Sequence, residues 1–312
     1  MDKFQAESQG KRLDVFLSET LEGLSRKKAR LAIEKGQVEV NGRKERPGYL
    51  VQIGDEISSK LVLNAEVKAR PYVNLREDKT PEIVYECDDY FVIEKPRAVH
   101  CVTLSQEGEP TLADWLARVH PECLQASPDP RESGLIQRLD YFTSGLLLAA
   151  KNRKAWEALR ESLMSEKVEK KYLALVEGYL SRQEVQTEYL MRPSKDRKRM
   201  RVGGGKEAVE TSCKFRQVRE PSKNTFSIPV DIVEAFAPKA HRHQVRVHLA
   251  QLGNPIVGDK VYGSNLAPSQ LGLDIEEGFL LHASEISFED PFSGRNKDFR
   301  SKPAFLEGAN VK

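Results

Sequence analysis

Two spacings of apolar residues divide this chain into segments. Near the N-terminus Leu13, Phe16, Leu17 and Leu21 fall three or four residues apart, which predicts a short helix over 12–21. Ser25 is an N-cap residue type ahead of a second helix over 26–35, with Ala29, Ala32 and Ile33 facing inward and Gly36 ending it. The spacing then shortens to two. Val38 and Val40 alternate with Gln37, Glu39 and Asn41, as in a half-buried strand, and Asn41-Gly42 is a tight-turn pair. Val51, Ile53 and Ile57 around Gly54-Asp55 predict a further strand pair. A polar stretch without period follows.

Beyond residue 80 strand-like runs dominate. They are expected at 83–86, 90–94, 135–139, 146–150, 172–176, 187–191, 209–216 and 226–235. Asn152 caps a predicted helix reaching 167, with Trp156, Leu159 and Leu163 on its buried stripe. Residues 242–252 carry Val245, Leu249 and Leu252 at helical spacing before Gly253. Strands interspersed with helices predict an α+β domain on a mixed or antiparallel sheet. The expected organisation is a small α/β unit over 1–62, a linker over 63–80 and a large domain over 81–312.

Composition narrows the field. The 312 residues are 39% hydrophobic and 31% charged, an ordinary globular balance. The longest apolar runs, such as residues 145–150, are too short to span a bilayer, and the first residues lack an apolar signal core, so a cytoplasmic location is expected. Cys87, Cys101, Cys123 and Cys213 are scattered without a CxxC pair, which argues against a disulfide framework or a zinc ribbon. The net charge is only +2, but its distribution is uneven. Residues 26–46 hold eight Lys/Arg against three Glu, and Arg26, Lys27, Arg30 and Arg43 crowd one helix and the turn beside it. Residues 192–206 hold seven Lys/Arg, Lys198 and Arg199 among them, against one acid. Both are candidate phosphate surfaces.

The chemistry concentrates at Asp140, a carboxylate between two apolar runs, where rigid strands can hold an acid within reach of a cleft. A plainer role, capping the Thr-Ser-Gly turn after it, fits the local sequence equally well. The surrounding stretch, QRLDYFTSGLLLAAK over 137–151, resembles the central motif of the RluA-like pseudouridine synthases, HRLDxxTSGLLLxAK. Four further segments resemble that family in the same order: DDYFVIEKP at 88–96, EKKYLALVEG at 169–178, HQVRVHLAQLGNPIVGDKVYG at 243–263 and FLLHASEISFEDPFSG at 279–294. The N-terminal pattern RLDxFL, SRxxAxxxIxxGxVxVNG and a GD turn resembles the RNA-binding domain of ribosomal protein S-four.

The resemblance implies an enzyme that breaks the bond from uracil N1 to ribose C1′, turns the base and joins C5 to C1′, with no cofactor and no metal. It assigns Asp140 the catalytic role, by attack on C1′ or by removal of a C2′ proton; both routes require an ionised carboxylate. It implies Arg246 as the cation that keeps Asp140 charged, Tyr172 as the ring packed on the target uracil, and Arg138 as the side chain that fills the space of an extruded base. Periodicity alone gives plainer readings, Arg246 as a helix-surface residue and Tyr172 as an ordinary strand residue. The family implies RNA as partner, large-subunit ribosomal RNA foremost and transfer RNA second; a monomer is the default. Four positions depart from the family pattern: Gln137 for histidine, Tyr141-Phe142 for a charged pair, Arg97-Ala98 where a glycine is usual, and Ala240-His241 for Gly-Arg. These departures motivate one alternative, a catalytically silent RNA-binding or ribosome-assembly factor with the same fold. A metal-dependent hydrolase using His241, His243 and His248 is a second alternative, which their spacing disfavours because no pair lies four apart.

Overall fold

The computed structural model describes residues 2–6, 9–21, 24, 26–59, 74–103, 108–218, 226, 228–275 and 277–306. The expected cap Ser25, most of the expected linker and the side chain of Lys27 lie outside the described residues.

The first unit runs β1 (Asp2–Gln5), α1 (Leu13–Thr20), α2 (Arg26–Glu34), β2 (Val38–Val40), β3 (Arg43–Lys44) and β4 (Glu56–Ser59). Its four strands pair in the order β1-β4-β2-β3, all antiparallel. Leu13, Phe16 and Leu17 of α1, Ala29, Ala32 and Ile33 of α2, and Val38, Val40 and Ile57 of the sheet share one core, as their spacing predicts. The strand pair expected around Gly54 is only half present. Val51 is buried, but Ile53 is 65% exposed in a turn, and β4 pairs instead with β1 and β2. Asn41, at φ +51, donates from its side chain to Asp55 and accepts from the Glu56 N–H, so the Asn-Gly turn is tied to the Gly-Asp turn.

The second unit contains β5 (Glu82–Glu86), β6 (Tyr90–Lys95), α3 (Leu112–Val119), β7 (Ser144–Ala150), α4 (Arg153–Met164), β8 (Val168–Glu177), β9 (Glu184–Pro193), β10 (Met200–Val202), β11 (Val209–Gln217), β12 (Val230–Phe236), α5 (Gln244–Gln251), β13 (Leu281–Glu289) and β14 (Asn296–Arg300). One sheet runs β10-β9-β11-β12-β8-β13-β7-β6-β5, with β14 added on β13. Among the described strands β13 and β7 run parallel and every other neighbouring pair runs antiparallel, so the sheet is mixed.

Both faces of the sheet's centre are covered, which explains why β7 reads as an unbroken apolar run. Leu146 and Leu148 pack with Val92, Leu159 and Leu163 on the α4 side, while Leu147 and Ala149 pack with Phe91, Ile93 and Leu116 on the α3 side. Gly145, the second residue of β7, lies opposite Ala283 of β13 at φ +109, and a Cβ there would lie 2.3 Å from the Ala283 carbonyl oxygen. Only glycine lets the two strands approach so closely.

Three local expectations are corrected. Residues 135–139 are not a strand but an irregular strap, bridged to the sheet at Leu135–Ala149. The helix capped by Asn152 ends at Met164 rather than 167, because Glu166 takes φ +62 in the turn into β8. Helix α3, opened by a capping box between Thr111 and Asp114, is absent from the expectations although Leu112, Trp115, Leu116 and Val119 stand at helical spacing.

Candidate active site

The strap that carries Asp140 is pinned on both sides of that residue. Trp156 Nε1 and Arg160 Nη1 of α4 donate to the carbonyls of Leu135 and Ile136, at 3.2 and 2.7 Å. The Ile136 N–H donates to Leu148, and the Leu139 N–H to Cys101 Sγ. Past Asp140, the Tyr141 carbonyl accepts from the Val99 N–H and from Lys95 Nζ. Lys95 is fully buried and also donates to the carbonyls of Pro96 and Val99, at 2.8 and 2.9 Å. Burial lowers its pKa to about 8, a cost its three carbonyl partners offset.

Thus held, Asp140 points its carboxylate across the sheet to α5. Its backbone carbonyl accepts from the Thr143 N–H and closes the turn, but its carboxylate Oδ2 accepts from Arg246 Nη1 at 2.8 Å. The side chain therefore does not merely cap the turn. Arg246 is a bridge between two acids: its Nε and Nη2 donate to both oxygens of Asp259, at 2.7 and 2.9 Å. The guanidinium also lies over the ring of Phe279, 3.9 Å from its centroid, with Tyr262 at 5.0 Å. Burial works against the Arg246 charge, yet the bonds to Asp259 and the charge of Asp140 outweigh it and raise the pKa. The Asp140 side chain stays 24% exposed, with Oδ1 facing His243 Nε2 at 3.8 Å.

Tyr172, on β8 between Ala235 and Ala283, is 5% exposed and its phenol pKa is pushed up by burial and then by the charge of Asp140. The structure thus brings Asp140, Arg246 and Tyr172 together. The reading of Arg246 as a helix-surface residue fails because α5 is enclosed: Gln244, Val245, Arg246, Val247, His248 and Leu249 are all buried. Amphipathic spacing says nothing about a helix surrounded on every side.

The family departures have structural counterparts. Ala98 takes φ +58, a left-handed conformation that a glycine reaches without a Cβ penalty. Arg97 donates to the carbonyls of Phe142, Glu277 and Phe279 and lies over the Phe142 ring at 5.0 Å. Tyr141 meets the His100 ring at a tilt, with centroids 4.5 Å apart, and Tyr141 and Phe142 are both half-buried. Gln137 has a buried Oε1 without a hydrogen-bond partner among the described residues.

The three histidines of the hydrolase alternative face different surroundings. His248 is wholly buried between the hydroxyls of Thr187 and Thr211, at 2.7 and 2.9 Å. His243 faces Asp140 and Tyr262, and the His241 N–H binds Gln244. Among the described residues no group of three or more His, Cys, Asp or Glu is placed to hold a metal ion.

Of the expected RNA-facing residues, those with described side chains lie on the surface. Arg138 is exposed on the strap, Arg43 on β3, and Lys198 and Arg199 at the turn between β9 and β10. Arg26 pairs with Asp14 and Arg30 with Glu34, so both guanidiniums start from intramolecular partners. Arg12, Arg26 and Arg30 line one groove together with Arg192, Lys206 and Glu207. Asp259, Tyr262 and the approach of His243 to Asp140 are additions that the sequence reading misses. Their signal lies in the GDKVYG stretch that follows α5.

Comparison with known proteins agrees with this geometry. Residues 89–251 match the family model described as RNA pseudouridylate synthase, and residues 11–57 match the S4 domain model. An uncharacterized RNA pseudouridine synthase, YlyB, of Bacillus subtilis is 30% identical over 297 residues, 95% of this chain and 91% of that protein. The ribosomal large subunit pseudouridine synthase D of Xylella fastidiosa is 32% identical over 290 residues, 90% of this chain and 82% of its own. The corresponding synthase C of Haemophilus influenzae is 32% identical over 306 residues, 94% and 88% of the two chains. The solved structure of human RNA pseudouridylate synthase domain containing 1 shares the fold, with a TM-score of 0.57 at 22% identity over 76% of this chain and 89% of that one. The motif order, the mixed sheet and these matches agree: the chain belongs to the RNA pseudouridylate synthase family, in its RluA-like branch, and carries an S4 domain ahead of the catalytic fold.

Proposed function

We propose that this protein isomerises uridine to pseudouridine in ribosomal RNA, most specifically that of the large subunit, with Asp140 as the reacting carboxylate. The single observation that carries the reading is the carboxylate itself. One oxygen is fixed by Arg246, whose guanidinium lies over Phe279, while the partly exposed carboxylate lies close enough to the buried Tyr172 phenol to raise its pKa. Arg246 supplies a positive charge 2.8 Å from the carboxylate as a base enters and water leaves. Tyr172 provides a flat face for the uracil ring. Arg138 takes the place of the extruded base, since a guanidinium stacks as readily as it binds phosphate.

In one route Asp140 bonds to C1′ as the N1–C1′ bond breaks; in the other it removes the C2′ proton as that bond breaks. The base then turns, C5 bonds to C1′ as the Asp140–C1′ bond breaks or as Asp140 returns the proton to C2′, and the C5 proton is lost to water while N1 takes one up. No oxidant, reductant or phosphate is consumed, so the residues of the cleft suffice. The names of the ribosomal relatives support ribosomal RNA as substrate over transfer RNA. In this reading residues 1–62 hold the RNA, 63–80 link, and 81–312 perform the chemistry in a cytoplasmic monomer. Arg26, Lys27, Arg30, Arg43, Lys198 and Arg199 supply phosphate contacts.

The test is tritium release from C5-labelled uridine in ribosomal RNA from cells lacking this protein. Wild type should release tritium and Asp140→Asn should not, although both bind the RNA. Release by Asp140→Asn would remove the carboxylate from the mechanism. No release by wild type, despite binding, would favour the non-catalytic RNA-binding factor.

A further inference from the structure

A line of hydrogen-bonded groups runs from the basic hairpin to His243, whose ring faces the Asp140 carboxylate across 3.8 Å. Met200, the first residue of β10, donates its backbone N–H to Tyr262 Oη at 2.9 Å. Tyr262 Oη lies 2.7 Å from His243 Nδ1, and His243 Nε2 lies 3.8 Å from Asp140 Oδ1, the oxygen that Arg246 leaves open. A second tie runs beside it. Arg242 donates to the turn carbonyls of Arg197 and Lys198, at 2.8 and 3.0 Å.

The direction of the protons follows from the partners. A phenol has one proton to give. Met200 already donates to Tyr262 Oη, so a phenol proton directed at His243 Nδ1 gives every proton of the pair a partner, whereas an Nδ1–H would leave the phenol proton without one among the described residues. The fully paired arrangement has Nδ1 accepting and the ring proton on Nε2, facing Asp140. Burial holds the imidazole pKa at about 4 against the pull of Asp140, so the ring is uncharged at neutral pH. His243 sits at φ +56 at the start of α5, which fixes where the ring projects.

We propose that His243 is a second positioning residue for Asp140, held as its Nε2–H tautomer by the chain from the hairpin backbone through Tyr262, so that hairpin placement sets the orientation of the reacting oxygen. This rests on the reading of Asp140 as the reacting carboxylate. A short closure of the 3.8 Å gap turns Nε2–H into a hydrogen bond on Oδ1. Arg246 then fixes one oxygen by charge and His243 orients the other without adding charge, which keeps the attacking oxygen reactive. The charged and titratable groups around the ring are Asp140, Asp259, Arg242, Arg246 and Tyr262.

Nitrogen-15 NMR of histidine-labelled full-length protein at pH 7.5 reads the tautomer directly and without activity. His243 should carry its proton on Nε2, and Tyr262→Phe should mix the two tautomers. A proton on Nδ1 in the wild type would overturn the proposal even if Asp140→Asn is inactive. Kinetics supply the second readout. His243→Gln keeps a donor at the far position and should retain most of kcat. His243→Phe should lose roughly 10- to 100-fold in kcat, the value of a hydrogen bond to a charged group, with a smaller change in KM. Equal kcat for the Gln and Phe variants, both folded by circular dichroism, would remove His243 from the positioning role.

Discussion

Arg246 shows how one side chain can be constrained by two acids at once. Its fork fits Asp259 bidentately and still offers Nη1 to Asp140. A lysine has no such planar fork. Arg246→Lys should therefore lower kcat by roughly 100-fold while RNA still binds, as measured by single-turnover tritium release. A change confined to KM would mean that Arg246 serves binding alone. Ala98 gives a stability prediction. At φ +58 its Cβ is strained, and glycine removes that strain at the cost of a freer unfolded chain. Ala98→Gly should stabilise the protein by about 0.5–1 kcal/mol in urea unfolding. At this scale Asp140, Tyr172 and Arg246 are legible because a motif marks them. Asp259 is not, because an acid after glycine looks like any turn residue until Arg246 is seen against it.

Among elements, the hairpin of β9 and β10 combines a basic turn with a fixed base. Asp196 accepts from the Lys198 N–H, and the Ser194 N–H donates to the Arg199 carbonyl, so the side chains of Lys195, Lys198 and Arg199 project from a defined turn. Replacing these three by alanine should weaken RNA binding at low salt. It should also flatten the dependence of log affinity on log salt by roughly 0.7–0.9 for each phosphate that is no longer neutralised. An unchanged slope would place the RNA elsewhere. Gly145 tests the sheet. Gly145→Ala sets a methyl against the Ala283 carbonyl, so β7 and β13 must part, and a drop in melting temperature with reduced turnover is expected. Strand order is not legible from alternation. Period two identifies a strand's faces but not its neighbours, and the strap at 135–139 has an apolar sequence yet is held by α4 side chains rather than by a ladder.

Across the molecule, acid should be destabilising through buried imidazoles. Burial drives His243, His248 and His282 each to about 4, below the ordinary 6.5. The folded pKa is depressed, so the unfolded chain takes up protons first as pH falls. Stability is complete above about pH 6.5, declines toward pH 4 and is not lowered further by these groups below it, on the order of 1–3 kcal/mol per histidine. Urea midpoints at pH 7.5, 6 and 5 should fall in that order, and a His248→Gln variant should show a shallower decline. Removing residues 1–60 should weaken RNA binding and its salt dependence more than turnover at saturating RNA. If saturation fails to restore turnover, the division of labour between the two units is wrong.

The sequence by itself determined the helical and strand spacings of the N-terminal unit, the apolar run of β7, the carboxylate at Asp140 and the two clusters of positive charge. Each is a local property, carried by residues within a few positions of one another. Tertiary structure alone decided that α5 is enclosed, that Arg246 joins Asp140 to an acid 13 residues onward, and that the hairpin at Met200 reaches His243 through Tyr262. Those pairings join groups far apart in sequence, and the physical reason they escape a linear reading is that burial and hydrogen-bond direction exist only once the sheet has brought its strands together.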